Sequence, residues 1–280
     1  YIALPEQKLA QGLTLVFIMQ DGKAILKKVK QEVNIQRAKV YNLGEMALDP
    51  TKAKDFILKN QGLIEAVAVK VSGLVKTADG HLNIYAADNL EKILSFKGIL
   101  EVKGNPKLTS IDELQYYRNI NGLTLQGNTN LAGELNFNKY PQLTDRIEVA
   151  GSPLVTKINV TGLDKIVQLQ AHDLNGLKEV VTGGNTKLNL FALYGNKSLE
   201  SVDASNMPAL TNLQTYYSSN IQTINTTNSP NLNNFNGISN SSLQNFIGLS
   251  ENSKLQTFWA SGSKIESYDF SKMTNLRDVN

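Results

Sequence analysis

No cysteine occurs in the 280 residues of this chain. Disulfides, thiolate metal sites and cysteine nucleophiles are therefore excluded, while the redox compartment stays open. Histidine is nearly as scarce, with His81 and His172 alone. No run of about 18 apolar residues exists, so nothing reads as a membrane-spanning helix. No block of Lys and Arg stands out either: 28 basic and 25 acidic residues leave a thinly spread net charge of +3. A basic footprint for a phosphate backbone is missing, and nucleic acid is not expected as a partner. The first residue is Tyr1, not Met. Any signal peptide or lipid-anchoring cysteine is expected upstream of it.

What is present is a period. Ile111, Leu135, Ile158, Val180, Val202, Ile224, Phe246 and Tyr268 stand 24, 23, 22, 22, 22, 22 and 22 residues apart. An apolar residue precedes most of them by three positions: Leu108, Val155, Leu177, Leu199, Ile221, Leu243 and Ile265. A third follows at eight or nine: Ile120, Leu143, Ile166, Leu188, Leu210, Leu232, Leu255 and Leu276. Matched apolar offsets at such a period mark a repeat solenoid. One unit cannot bury its own apolar face, but stacked coils cover one another.

Each unit from Lys97 onward divides in two. The first half carries an extended run, as in ILEV (99–102), LTLQ (123–126) and RIEV (146–149). A turn position follows, occupied by Asn105, Ser152, Asn196, Ser218, Asn240 and Gly262, with Leu174 as the exception. The second half is polar and too short for a helix. It is expected to be extended or 3₁₀ on the convex side.

The N-terminal part differs. LTLVFIMQDGKAILKKV places Asp21-Gly22 between two apolar runs, a two-residue hairpin signal. In the following stretch Val33, Ile35, Val40, Leu43 and Met46 are candidates for a core. Residues 49–61 read as a capping helix, with Asp49 at the N-cap, Pro50 in the first turn and Gly62 as its stop. IEAVAVKV (64–71) reads as a strand. The expected division is a small β-rich module plus capping helix at 1–62, then the solenoid at 63–280, with 63–96 as a degenerate cap.

The units SKIESYDFSKMTNLRDV and KSLESVDASNMPALTNL resemble leucine-rich repeats of the bacterial, internalin-like kind, as in surface lipoproteins of Bacteroidetes. VNIQRAKVYNLGEMAL is similar to the closing strands of fimbrillin-like sandwich domains. The fold class expected is mainly β: a leucine-rich-repeat solenoid of about eight units with parallel strands. A parallel β-helix is the alternative. The polar second half of each unit favours the leucine-rich form, because β-helix coils bury faces of similar apolar character. Departures from the repeat pattern fall at Thr215, Gly237 and Phe246.

Catalytic signals are thin. His172 in QLQAHDLNGL reads as a polar turn residue, and His81 as a loop residue. Neither completes a Ser-His-Asp arrangement, and two isolated histidines are no metal site. No cofactor is expected. Asp112 and Glu113 read as solvated charge. Glu101 and Glu148, two coils and about 10 Å apart, are the nearest approach to a glycosidase pair. Aromatic residues are more informative. Tyr194, Tyr217 and Trp259 are expected to align across successive coils on the concave sheet, beside Gln126, Glu148, Gln168 and Gln170. Exposed rings on a rigid sheet suit sugar stacking or peptide anchoring. The resemblance implies a non-enzymatic surface or secreted binding protein, lipid-anchored at a bacterial outer membrane, with an extracellular protein or glycan as partner. A polysaccharide-active β-helix enzyme and a structural spacer or assembly component are the alternatives.

Overall fold

The computed structural model describes residues 7–9, 12–30, 32–36 and 47–280. Two compact units are present: residues 1–59 with 73–92, and residues 60–72 with 93–280.

The first unit is built from short antiparallel pairs. Leu13–Ile18 and Ala24–Val29 form the hairpin marked by Asp21-Gly22. Its loop is longer than the two-residue turn expected. Met19 N–H bonds to Lys23 O, and Gly22, at φ +82°, closes the turn by donating to Met19 O. Asp21 accepts from Lys23 N–H and ties the loop together. Gln7–Leu9 pairs with Val33–Ile35, and Ile57–Leu58 with Leu82–Asn83. Val33 is buried. Val40, Leu43, Met46 and the Ile35 side chain lie outside the described residues. Asn89, fully buried, holds the segment before it: its amide bonds Val75 N–H, Val75 O and Asn83 O.

The helix expected at 49–61 is not there. Asp49 and Pro50 start only a single 3₁₀ turn, Pro50–Lys52. The helix, α1, is Gln61–Lys70, over the segment read as a strand. Asn60 is its N-cap, accepting from Leu63 N–H. Leu63, Ile64 and Val67 are buried at helical spacing, while Val69 is 83% exposed. α1 belongs to the second unit and covers the first strand of the solenoid.

That solenoid contains a nine-stranded, all-parallel sheet. Its strands are Gly98–Lys103, Ile120–Gln126, Arg146–Ala150, Gln168–His172, Leu190–Ala192, Asn212–Gln214, Asn234–Asn236, Thr257–Trp259 and Asp278–Val279, each beside the next. Six of the eight repeated anchors lie on the opposite side of the coils, in two three-stranded parallel sheets. Leu135, Ile158 and Val180 pair in one, and Val202, Ile224 and Phe246 in the other. Among the described residues the coils carry two sheet-forming sides, which fits a leucine-rich-repeat solenoid and not a three-sided β-helix.

The core is filled by columns of side chains, one per coil. Leu100, Leu123, Ile147, Leu169, Phe191, Leu213, Phe235 and Phe258 form one column, each at most 1% exposed. Burying such a side chain contributes roughly 1.5–3 kcal/mol. Where the pattern departs from leucine, neighbours compensate. A Cβ on Gly237 would lie 2.4 Å from Phe235 Cζ. The phenyl ring fills the volume that a larger residue at 237 would take.

Buried polar ladders hold the turns. Asn196 donates to Ala171 O and Leu193 O and accepts from Leu174 N–H. Ser218 Oγ accepts from Asn196 N–H, and Asn240 Oδ1 from Ser218 N–H. Asn185, Ser229 and Asn252 form a second such series. Each coil's free amides thereby find partners in the next.

Candidate functional site

The outward face of the nine-stranded sheet follows from its register. Strand residues alternate sides, so the buried columns fix what faces out. One outward column runs Arg146, Gln168, Leu190, Asn212, Asn234 and Thr257. The next runs Glu101, Thr124, Glu148, Gln170, Ala192, Gln214, Asn236 and Trp259. A third follows the strand ends. There Gly127 N–H bonds Ala150 O, Gly151 N–H bonds His172 O, Asp173 N–H bonds Tyr194 O, and Gly195 N–H bonds Tyr216 O.

The third column is aromatic. His172 stacks on Tyr194 with ring centroids 4.4 Å apart, and Tyr194 on Tyr216 at the same distance. Tyr217 meets the edge of Tyr216 at 84° and is 62% exposed. Burial first, then the neighbouring Tyr216, pushes the Tyr194 hydroxyl up to about 12. Burial also raises Tyr216.

The sequence-selected residues are thus distributed over more than one column. Glu148 and Gln170 share the column that ends in Trp259, Gln168 lies in the column beside it, and Gln126 is exposed at its strand end. Tyr194, Tyr217 and Trp259 do not align as expected. Tyr194 aligns with Tyr216, one residue earlier than Tyr217, and Trp259 belongs to the column of Gln214 and Asn236. Tyr217 N–H keeps its place in the backbone ladder, donating to Ile238 O, but at φ +56° its side chain leaves the strand alternation. His172 is likewise not a turn residue; it ends the strand Gln168–His172. Sequence reasoning took Tyr217 rather than its neighbour Tyr216 as the outward ring and did not single out Asn234 or Asn236. The spacing of 22 that links 172, 194 and 216 was a signal for the stack.

Charges gather at the N-terminal end of the same face. Lys103 Nζ lies 2.9 Å from Glu101 and holds that carboxyl below its ordinary range. Arg146 Nη2 donates to Thr124 Oγ1, and its Nε lies 3.7 Å from Glu148. His172 Nδ1 lies 2.9 Å from Asp173 Oδ2 and its Nε2 4.0 Å from Glu148. Glu101 and Glu148 flank Thr124 in one column, two strands apart. Each has a basic side chain beside it. Among the described residues no group of three or more His, Asp and Glu could hold a metal ion.

Fold and face together define a leucine-rich-repeat solenoid of about eight coils. No family model matches the chain, and no curated protein matches it. Among solved structures, an internalin (inlF) from Listeria monocytogenes is similar at 14% identity, over 79% of this chain and 95% of that one, with a TM-score of 0.26. The functional domain of InlJ from the same organism is similar at 14% identity, over 79% of this chain and 68% of that one, with a TM-score of 0.20. The strand register by itself carries the architecture. No helix of the described residues is long and apolar enough to cross a membrane.

Proposed function

We propose that this chain is a non-enzymatic binding protein that recognises an extracellular protein or glycan with the outward face of its nine-stranded sheet. One observation carries the reading. Gln168, Gln170 and Asn234 stand in register on that face with side chains that have no hydrogen-bond partner among the described residues, beside rings held rigid by stacking. A preorganised face of this kind loses little freedom on binding. Catalysis has less support: Glu101 is kept ionised by Lys103, where a glycosidase acid needs a raised pKa. A role at a bacterial surface, with a lipid anchor upstream, comes from the resemblance of the repeats. The test is a binding screen on arrayed glycans and extracellular-matrix proteins, with Tyr217→Ala/Trp259→Ala in parallel. The expected result is a hit that the folded double variant loses. A hit that survives moves the site elsewhere, and no hit favours the spacer reading.

A further inference from the structure

The outward face changes chemistry along its length. Its first three strands present Glu101, Lys103, Arg146 and Glu148, close enough for ion pairs. From Gln168 to Trp259 the outward strand positions carry no formal charge. Carboxamides dominate there. Among the described residues, the side chains of Gln168, Gln170 and Asn234 have no hydrogen-bond partner.

The opposite side of the same coils behaves differently. Asn225 donates to Asp203 at 3.3 Å, Asn228 to Asn206 at 2.9 Å, and Asn245 to Thr223 at 3.5 Å. Along that side the bonds run from coil to coil, whereas on the outward face Gln214 donates to Asn212 within one strand at 3.2 Å, Asn236 accepts from Ile238 N–H, and Gln168, Gln170 and Asn234 stay open. An open depression of about 460 Å³ adjoins the open side, with Asn212 and Asn234 in its wall. Its one charged residue, Lys254, is bonded to Asn231.

We propose that this uncharged half binds a neutral polysaccharide laid across the coils. The proposal rests on the binding reading above and narrows its partner. A carboxamide both donates and accepts, as a sugar hydroxyl does, and no fixed charge on these strands attracts an anionic chain. Tyr217 and Trp259 supply the apolar platforms on which pyranose C–H faces rest. They stand two coils apart, about 10 Å along the axis, so they engage different sugars of one chain. Tyr194 and Tyr216 stack on each other and act as the rigid border of the site.

Affinity electrophoresis in native gels containing xyloglucan, mixed-linkage β-glucan, galactomannan or dextran tests this, with heparin and alginate as anionic probes. Retardation by at least one neutral polymer and by neither anionic one is expected. Trp259→Ala and Tyr217→Ala should each weaken it at least about tenfold, and Trp259→Phe should restore most of it. Asn236→Asp, nearly isosteric, should weaken it as well. Unchanged unfolding midpoints show that the variants remain folded. No retardation by any neutral polymer overturns the proposal, as does retardation that all variants retain. If matrix proteins are captured and lost in the same variants while every neutral glycan fails, the glycan proposal falls and the binding reading stands. If neither class binds, both fall.

Discussion

Tyr117 and Tyr140 are both buried, yet their hydroxyls differ in partners. Tyr140 donates to Ile111 O at 2.8 Å, whereas the Tyr117 hydroxyl has no hydrogen-bond partner among the described residues. A buried group left unpaired costs roughly 1–3 kcal/mol. Tyr117→Phe is therefore expected to be neutral or stabilising, and Tyr140→Phe destabilising by about 1 kcal/mol. Urea unfolding of the two variants checks this, and the reverse order would refute the assignment. Leu199→Ala and Leu232→Ala remove fully buried side chains and should each cost about 2–5 kcal/mol. A loss under about 1 kcal/mol would mean that the repeat register is wrong. Alkaline pH acts on the tyrosines as well. Burial, then Asp112, pushes Tyr140 up to about 12, the range that Tyr194 also reaches. In the unfolded chain these groups lose their protons near pH 10. Above that pH the unfolded state binds fewer protons than the native one, so stability falls. The contribution is complete below about pH 10 and lost as pH rises toward 12. Denaturant midpoints that stay level across that window would contradict it.

α1 separates what its sequence shows from what its contacts decide. IEAVAVKV alternates apolar and other residues over part of its length, and its valines favour strands. Leu63, Ile64 and Val67 also fit a helical stripe, and the covering of the first coil selects that pattern. Gly62 looked like a helix stop. It is a helix residue that allows close approach: a Cβ there would lie 2.6 Å from Leu108 Cβ and 2.7 Å from its Cα. Alanine would raise helix propensity by up to about 1 kcal/mol, but the clash is with backbone. Gly62→Ala is therefore expected to lower stability by roughly 1–3 kcal/mol, read from chemical unfolding. A net gain would show that α1 is loosely docked. The solenoid itself was legible, because Leu199, Val202 and Leu210 recur at offsets that only stacked coils explain. The candidate face was legible in part. Gln168, Gln170 and Glu148 follow from strand alternation. The placement of Tyr217 does not, since the change from strand to left-handed turn falls between the strand end at Gln214 and Tyr217, three residues on.

Across the whole solenoid, each coil is stabilised mainly by its neighbours, so protection against exchange should be graded. Leu169 and Leu213 are fully buried between coils. The last coil is looser: Ile265, Tyr268 and Leu276 are only half-buried, and Val279 is 54% exposed. Native-state hydrogen exchange should find residues 260–280 opening first and the strands from Ile120 to Gln214 last. Uniform protection would indicate one cooperative unit instead.

The register has a further consequence for how such a chain can change. Gln168 lies opposite Leu190, and Leu190 opposite Asn212. Excision of residues 190–211 would bring Asn212 to Gln168, Leu213 to Leu169 and Tyr216 to His172, while Val180 would meet Ile224. The inward column through Leu169 and the aromatic stack would close again in register. Length here is quantised: the molecule can lose or gain whole turns, and with them reach, while the rules for packing one turn on the next stay the same.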